Sequence, residues 1–311
     1  MDEVSGLIRH VAKKLLRRRS GAQSPRRRDW AIGLFTTKSP LSEQYAPVTK
    51  VPVIRGSDVS DISSAFVADP FLLPYNDKYH LFFEIFSEIT QRGEIACAES
   101  DNGLDWAYKG IVLQEPFHLS YPQVIRVGDE IYMVPESGED LSVRLYRADQ
   151  FPLGWRHVTT LLSGYWFADP TLFRFDGGWW MFVSTREHNV LNLYYADEIT
   201  GPWTMHPVSP LIKFDNRNSR PAGRVLACRG SLYRFAQDCH PYYGRGIKVF
   251  RITKLNRHEY AEEALGDLPL SDRSGWNERG IHHIEHFQLP DDTWLALIDG
   301  FSQFGERETN G

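Results

Sequence analysis

A chain of 311 residues with 42% hydrophobic and 13% aromatic content can bury a large core, which excludes a disordered or collagen-like polymer. The net charge of −5 conceals a basic start: residues 1–28 hold nine Lys/Arg against two acids, which leaves −12 for the rest and argues against a nucleic-acid partner. Three scattered cysteines, Cys97, Cys228 and Cys239, suit neither a disulfide framework nor a zinc spacing and read as free thiols in a reducing compartment.

Taken in order, Leu7, Ile8, Val11, Leu15 and Leu16 fall at helical spacing among Arg9, Lys13, Lys14 and Arg17 to Arg19, with Arg26 to Arg28 following. This pattern predicts a short basic amphipathic helix, and residues 7–28 are suited to an anionic membrane surface; a disordered basic tail is the bland alternative. No run of 18 apolar residues and no secretory apolar core is present, so the expected location is cytoplasmic, peripheral on the inner membrane where the tail engages lipid. Ser20 to Ser64 reads as an irregular lead-in with short strands at Trp30–Phe35 and Val51–Ile54. Their expected partner is the C-terminal end of the chain, because closing a blade with both termini removes two exposed edges. The division is thus 1–28 as a tail and 29–311 as one domain.

From Val67 the chain repeats. Pro70, Pro122, Pro170 and Pro221 lie 52, 48 and 51 residues apart, and Glu84, Glu136 and Ser184 each fall 14 residues after their proline. Each unit reads as a Pro-initiated strand, a turn rich in Asn, Asp or Gly, a second aromatic strand, then two more ending near Trp106, Trp155 or Trp203. Four strands per unit of about fifty residues is one propeller blade. Lys254–Gly266, with Leu255, Tyr260, Ala261, Ala264 and Leu265, is expected to be an inserted helix after the fourth blade, and the segment from His282 to Asp299 forms the fifth. The fold expected is an all-β, five-bladed β-propeller.

The first strand of every propeller blade faces the central axis, so equivalent positions converge there. Just before the marker proline these are Asp69, Tyr121, Asp169 and Arg220, joined by a histidine from His282–His283; at the end of the second strand they are Glu84, Glu136, Ser184 with Thr185, and Gln237 with Asp238. Unpaired, such charges would cost several kcal/mol to bury, so a polar pocket is expected. Paired carboxylates are also what glycosidic chemistry requires, one acting at the anomeric carbon or on its attacking group and one protonating the leaving oxygen. The bland readings are that Asp-Pro caps a turn at a strand start, that Glu84 and Glu136 are salt-bridge partners of Arg220 or Arg224, and that Trp179 and Trp180 pack sheets. Of the two histidines, one is expected to point inward and the other to pack between blades. Two histidines without a second spaced pair do not make a zinc site.

These residues resemble the five-bladed arabinanase, levansucrase and invertase superfamily: an Asp in blade one, an Asp-Pro in blade three, Gly201-Pro-Trp203, and Gly280 to His283. The resemblance implies that Asp69 is base or nucleophile and that Asp169 orients and tunes. Where that superfamily's acid belongs, this chain has Ser219-Arg-Pro221. Glu136 is the substitute, with Glu84 and Glu285 in reserve. A central calcium or sodium ion near His283 is the one ion the resemblance leaves room for; no other cofactor or metal is expected.

A resemblance covering Trp30 to Gly300 is carried by VADPF, HLSYP with YMVPES, SRPAGR, RFAQD, HHIEHF and IDG. These look like the N-terminal propeller of plant glucosamine inositolphosphorylceramide transferases and their bacterial relatives. In the plant proteins a separate glycosyltransferase domain follows the propeller, and this sequence does not include it. The function expected is a glycosyltransferase in glycolipid or surface-polysaccharide assembly, acting on a sugar donor or glycan. Asp69, Glu136 and Asp169 would be catalytic, with Glu84, Tyr121, Arg220, Arg224, Gln237, Asp238, His282 and His283 binding substrate. A furanosidase-like hydrolase and a non-catalytic sugar-binding propeller are the alternatives.

Overall fold

The computed structural model describes residues 29–302 apart from 42–43, 271–272 and 274. The basic helix expected near the N-terminus lies outside the described residues. β1 (Ala31–Thr37) and β2 (Ala46–Pro47) open the chain and belong to the last blade. Blade one is β3 (Ser64–Tyr75), β4 (Lys78–Ser87), β5 (Gly93–Ser100) and β6 (Ala107–Leu113); blade two is β7 (Ser120–Val127), β8 (Glu130–Ser137), β9 (Ser142–Gln150) and β10 (Gly154–Ser163). Blade three holds β11 (Phe167–Phe175), β12 (Gly178–Thr185), β13 (Val190–Ala196) and the two short strands β14 (Thr204–Met205) and β15 (Ile212–Lys213). Blade four holds β16 (Arg220–Pro221), β17 (Leu226–Cys228), β18 (Ser231–Asp238), β19 (Gly246–Leu255) and β20 (Tyr260–Asp267). β22 (Trp294–Gly300) pairs with β21 (Ile284–Gln288) on one side and β1 on the other, closing the ring in the order β2-β1-β22-β21. The all-β, five-bladed architecture and the pairing of the two chain ends are as expected.

The blades are held by apolar seams. Five clusters each join one pair of neighbouring blades, such as Phe82, Ile95 and Cys97 of blade one against Val124, Met133 and Tyr146 of blade two. Trp179 enters the seam between blades two and three and its neighbour Trp180 the seam between three and four, so both pack sheets. With hydrophobic burial placed between blades, the axis is left to polar residues.

Two local expectations are corrected. Lys254–Gly266 is no helix: Tyr260–Asp267 is the outer strand of blade four, antiparallel to β19 with two register shifts. An edge strand buries little of either face, so its Ala/Glu-rich composition imitates a helix while pairing with β19 decides the outcome. No α-helix occurs among the described residues, and none of their helices is long and apolar enough to cross a membrane. The marker prolines do not start strands either. Pro70, Pro122 and Pro170 lie within β3, β7 and β11 at bulges, where two inner-strand residues face one on the second strand.

Candidate active site

The bulges build the site. In blade one Ala68 pairs with Glu84 and Phe71 with Phe82, so Asp69 and Pro70 are displaced from the ladder. Proline has no N–H to lose there. Asp69, Tyr121 and Asp169 all adopt positive φ, at 55°, 49° and 50°. Such a left-handed conformation at a non-glycine residue stores about 1–3 kcal/mol, so the surroundings must enforce it. The enforcement is visible. Each amide freed from its ladder is taken by a carboxylate of the preceding blade: Asp69 N–H donates to Asp299 Oδ2 (2.9 Å), Tyr121 N–H to Asp69 Oδ2 (3.1 Å) and Asp169 N–H to Glu136 Oε2 (3.1 Å). The axial acids therefore stitch one blade to the next.

Blade four departs from this pattern. Arg220 replaces the Asp or Tyr of its counterparts and reaches back to Asp169, donating from Nε to Oδ2 and from Nη2 to Oδ1 (3.1 Å). Gln237 Nε2 donates to the same carboxylate (2.8 Å), Glu136 Oε2 stands 3.6 Å from Arg220 Nη2, and His188 Nδ1 is 2.7 Å from Arg220 Nη1. The guanidinium also lies over the Tyr243 ring, 5.0 Å from its centroid. Burial disfavours charge on Asp169, yet Arg220 outweighs it and holds the carboxyl below its ordinary value. Burial likewise opposes charge on His188, pressed to about 3 with Arg220 adding to the effect.

On the blade-five side, Asp299 Oδ1 accepts the backbone N–H of His282 (3.1 Å) and His283 (2.8 Å) and lies 2.7 Å from His282 Nδ1. His282 Nε2 and His283 Nδ1 approach Asp69 Oδ1 at 3.6 and 3.7 Å. Burial lowers His282, but Asp299 more than offsets it and the net shift is upward. For Asp69 burial dominates and lifts the carboxyl to about 7 against the pull of His282. Among the described residues, Asp69, His282 and Asp299 present ligand atoms within 4.8 Å of one another and are the set that could hold a cation. The two carboxylates suit a hard cation, the imidazole does not, and the upward shift of His282 favours the protonated ring, which cannot ligate.

Glu84 completes the mouth. Its Oε1 lies 3.4 Å from His118 Nε2, and His118 Nδ1 accepts the Gly93 N–H (2.8 Å), which leaves the Nε2 of a neutral ring as the nitrogen carrying hydrogen. Position 93 requires glycine, since a Cβ there would sit 2.2 Å from Leu119 O and 2.7 Å from Glu84 Oε1. Burial raises Glu84 well above its ordinary value, with the charges of Asp69 and Glu136 adding; burial raises Glu136 likewise, reinforced by Asp169 and opposed by Arg220. Asp69, Glu84 and Glu136 keep 3%, 6% and 6% exposure, whereas Asp169 and Asp299 keep none. The first three are the acids a ligand can touch; the other two support them.

Most of the sequence-predicted residues converge here, but three are placed differently. Arg224 points to the opposite end of the axis, with Nε 3.0 Å from Glu285 Oε1 and Nη1 donating to Val124 O (3.0 Å), beside a groove of about 320 Å³ lined by Gly128 and Arg174. Asp238 turns away to pair with Arg245 (2.7 Å), as strand alternation requires of the residue after Gln237. The Tyr121 ring forms the floor rather than the wall, its hydroxyl 2.7 Å from Thr171 Oγ1 and accepting Gly223 N–H (2.8 Å). Neither His282 nor His283 is a between-blade filler: both precede β21 in irregular backbone, escape alternation and approach Asp69. The sequence reading missed Asp299, His118, His188 and Tyr243. Asp299 ends the second strand of blade five and was findable by the rule that selected Glu84 and Glu136; the other three lie on loops that the repeat does not index.

Fold and site define a five-bladed propeller with an acidic axial mouth, and its fold is similar to that of solved arabinofuranosidases. The catalytic domain of a GH62 α-L-arabinofuranosidase from Coprinopsis cinerea superposes with a TM-score of 0.58 at 13% identity, covering 89% of this chain and 98% of that one. An α-L-arabinofuranosidase from Clostridium thermocellum gives 0.57 at 14% identity, covering 78% and 84%. At such identity the likeness is one of fold. Residues 23–301 match the family described as Glucosamine inositolphosphorylceramide transferase 1, N-terminal, and the chain belongs to that family. Curated relatives named glucosamine inositolphosphorylceramide transferase 1 are 38% identical over 297 residues in Oryza sativa subsp. japonica, covering 87% of this chain, and 34% identical over 334 residues in Arabidopsis thaliana, covering 98%. The chain spans 40% and 42% of those relatives' lengths.

Proposed function

We propose that the chain is a carbohydrate-active enzyme that transfers a sugar to a glycolipid acceptor at the axial mouth. The observation that carries this reading is the trio Asp69, Glu84 and Glu136: nearly buried, reachable from solvent, all raised, and set around a guanidinium. Asp69, at about 7, is poised to take the proton of an acceptor hydroxyl as its oxygen bonds to the anomeric carbon. The leaving oxygen departs with the bonding pair and receives a proton from Glu136 or Glu84, whose burial favours the protonated form. Asp169 touches no reacting atom in this scheme; it fixes Arg220, and with it Glu136. The transferase names of the relatives support transfer over hydrolysis, and Arg220 at the place where the wider superfamily's acid is expected points the same way.

A second reading has its own support. Asp69, Glu136 and Asp299 each accept the amide of the next blade, a structural task that a sugar-binding propeller without chemistry would also need. Product formation from sugar donors and inositolphosphoryl glycolipid, followed by mass spectrometry, separates the two. Transfer abolished by Asp69→Asn and Glu136→Gln with sugar binding retained supports catalysis. A wild-type protein that binds sugar yet is inert towards donors and furanosides alike supports the binding module.

A further inference from the structure

Among the described residues, the three most exposed large apolar side chains are Phe214 at 88%, Ile89 at 74% and Tyr165 at 73%. Strand topology puts all three on one face. Ile89 is in the β4–β5 loop just beyond Glu84, Tyr165 is in the β10–β11 connection just before Asp169, and Phe214 follows β15, whose pairing with Val190 and Leu191 holds it at the end of β13 nearest His188. Leu141, also exposed, caps the β8–β9 loop beyond Glu136 on the same face. Isolated exposed apolar residues are ordinary, but the extreme ones gathered around one mouth call for a partner.

The described residues begin at that face. Trp30 packs on His282 (4.1 Å between centroids) and Phe301 (4.7 Å) beside the mouth, and Asp29 accepts the N–H and hydroxyl of Ser302. Exposed Arg186, Lys213 and Arg217 on the rim are offset by Glu88, Glu139, Glu187 and Asp215, so the rim itself carries no positive excess. The excess positive charge comes from the nine Lys/Arg of residues 1–28. Apolar tips on the fold and a basic segment in the same chain are the two ingredients of attachment to an anionic bilayer, tips entering the headgroup layer and cations held by its surface potential.

We propose that the mouth face is a membrane-docking face, with Phe214, Tyr165 and Ile89 inserted at the surface of an anionic lipid bilayer and the axial carboxylates turned towards the headgroups. The inference stands apart from the catalytic reading, because a non-catalytic propeller would dock in the same way. Flotation of the full chain with phosphatidylcholine vesicles, with and without phosphatidylserine, tests it without any turnover. The comparison is a combined Phe214→Ser, Tyr165→Ser and Ile89→Ser variant against a Leu104→Ser and Leu153→Ser variant of the opposite face. All five side chains are exposed, so both variants keep the wild-type thermal transition. Wild type and the opposite-face variant float with the anionic vesicles, and the rim variant partitions about tenfold more weakly or worse. The proposal is overturned if the rim variant floats like wild type, which would leave residues 1–28 as the whole anchor. It is equally overturned if wild type ignores both vesicles, or if the rim instead mediates a concentration-dependent dimer.

Discussion

Replacing Asp169 by asparagine keeps its size and removes one charge from a fully buried position. The carboxylate takes two hydrogen bonds from Arg220 and one from Gln237 Nε2 at 2.8 Å, while Arg220 itself is only 7% exposed. Breaking a buried pair by neutralising one member typically costs about 3–5 kcal/mol, because the remaining charge is stranded. Here Glu136 Oε2, 3.6 Å from Arg220 Nη2, remains as a partial partner, which puts the expected loss near the lower end, about 3 kcal/mol. Urea unfolding followed by tryptophan fluorescence reads this as a lower midpoint at unchanged slope. Arg220→Met strands the opposite charge and is expected to cost a similar amount, but the double variant strands neither. The two changes therefore fall short of additivity, with a coupling of about 1.5–3 kcal/mol. A loss below about 1 kcal/mol for Asp169→Asn, or additive single changes, would refute the assignment of Asp169 as the anchor of Arg220.

Three other outcomes follow from the same geometry. Glu84 has a raised folded-state pKa, so the native protein holds a proton that the unfolded chain releases above its ordinary value of 4.5, and this depresses stability as pH rises. Glu84→Gln is thus expected to match wild type below pH 4.5 and to gain on it above, by about 1.4 kcal/mol per pH unit until the native carboxyl ionises; unfolding curves parallel at all pH values would contradict this. Gly223→Ala would place a Cβ 2.0 Å from Ile284 O at a φ of +129°, across the seam between blades four and five, so a loss of about 3 kcal/mol or more, or failure to fold, is expected in a denaturation assay. Tyr121→Phe strands the Gly223 amide at the floor, while the Thr171 hydroxyl keeps its bond to Asp169 O (3.2 Å), and should cost about 1–3 kcal/mol by the same assay.

The sequence made the ring legible because one physical unit recurs: a proline at a bulge, a tight turn, and an acid 14 residues on. That spacing fixed which positions share a level of the axis, and it brought Asp69, Glu84, Glu136, Asp169, Arg220 and Gln237 to one mouth. It could not fix depth or face by inspection alone. Arg224 lies three residues beyond Pro221, about 10 Å at 3.3 Å per residue, enough to carry it towards the other end. Asp238 lies one residue past Gln237, enough to turn it away from the axis. The part illegible in the repeat is the ring of amide-to-carboxylate contacts, since it depends on the left-handed backbone at Asp69, Tyr121 and Asp169, which no residue type there announces. The same local rule explains the misread edge strand: Tyr260–Asp267 has helical composition, and only its pairing with β19 makes it a strand.

The proposed function requires a sugar to react at the axial mouth. A crystal structure of the protein with glucosamine or an inositolphosphoryl glycolipid headgroup tests this directly. The expected result is a sugar ring within hydrogen-bonding distance of Asp69 and of Glu84 or Glu136, with its anomeric carbon between two of these carboxylates. A sugar bound in the Arg224 groove at the far end of the axis, with the mouth empty, would contradict it.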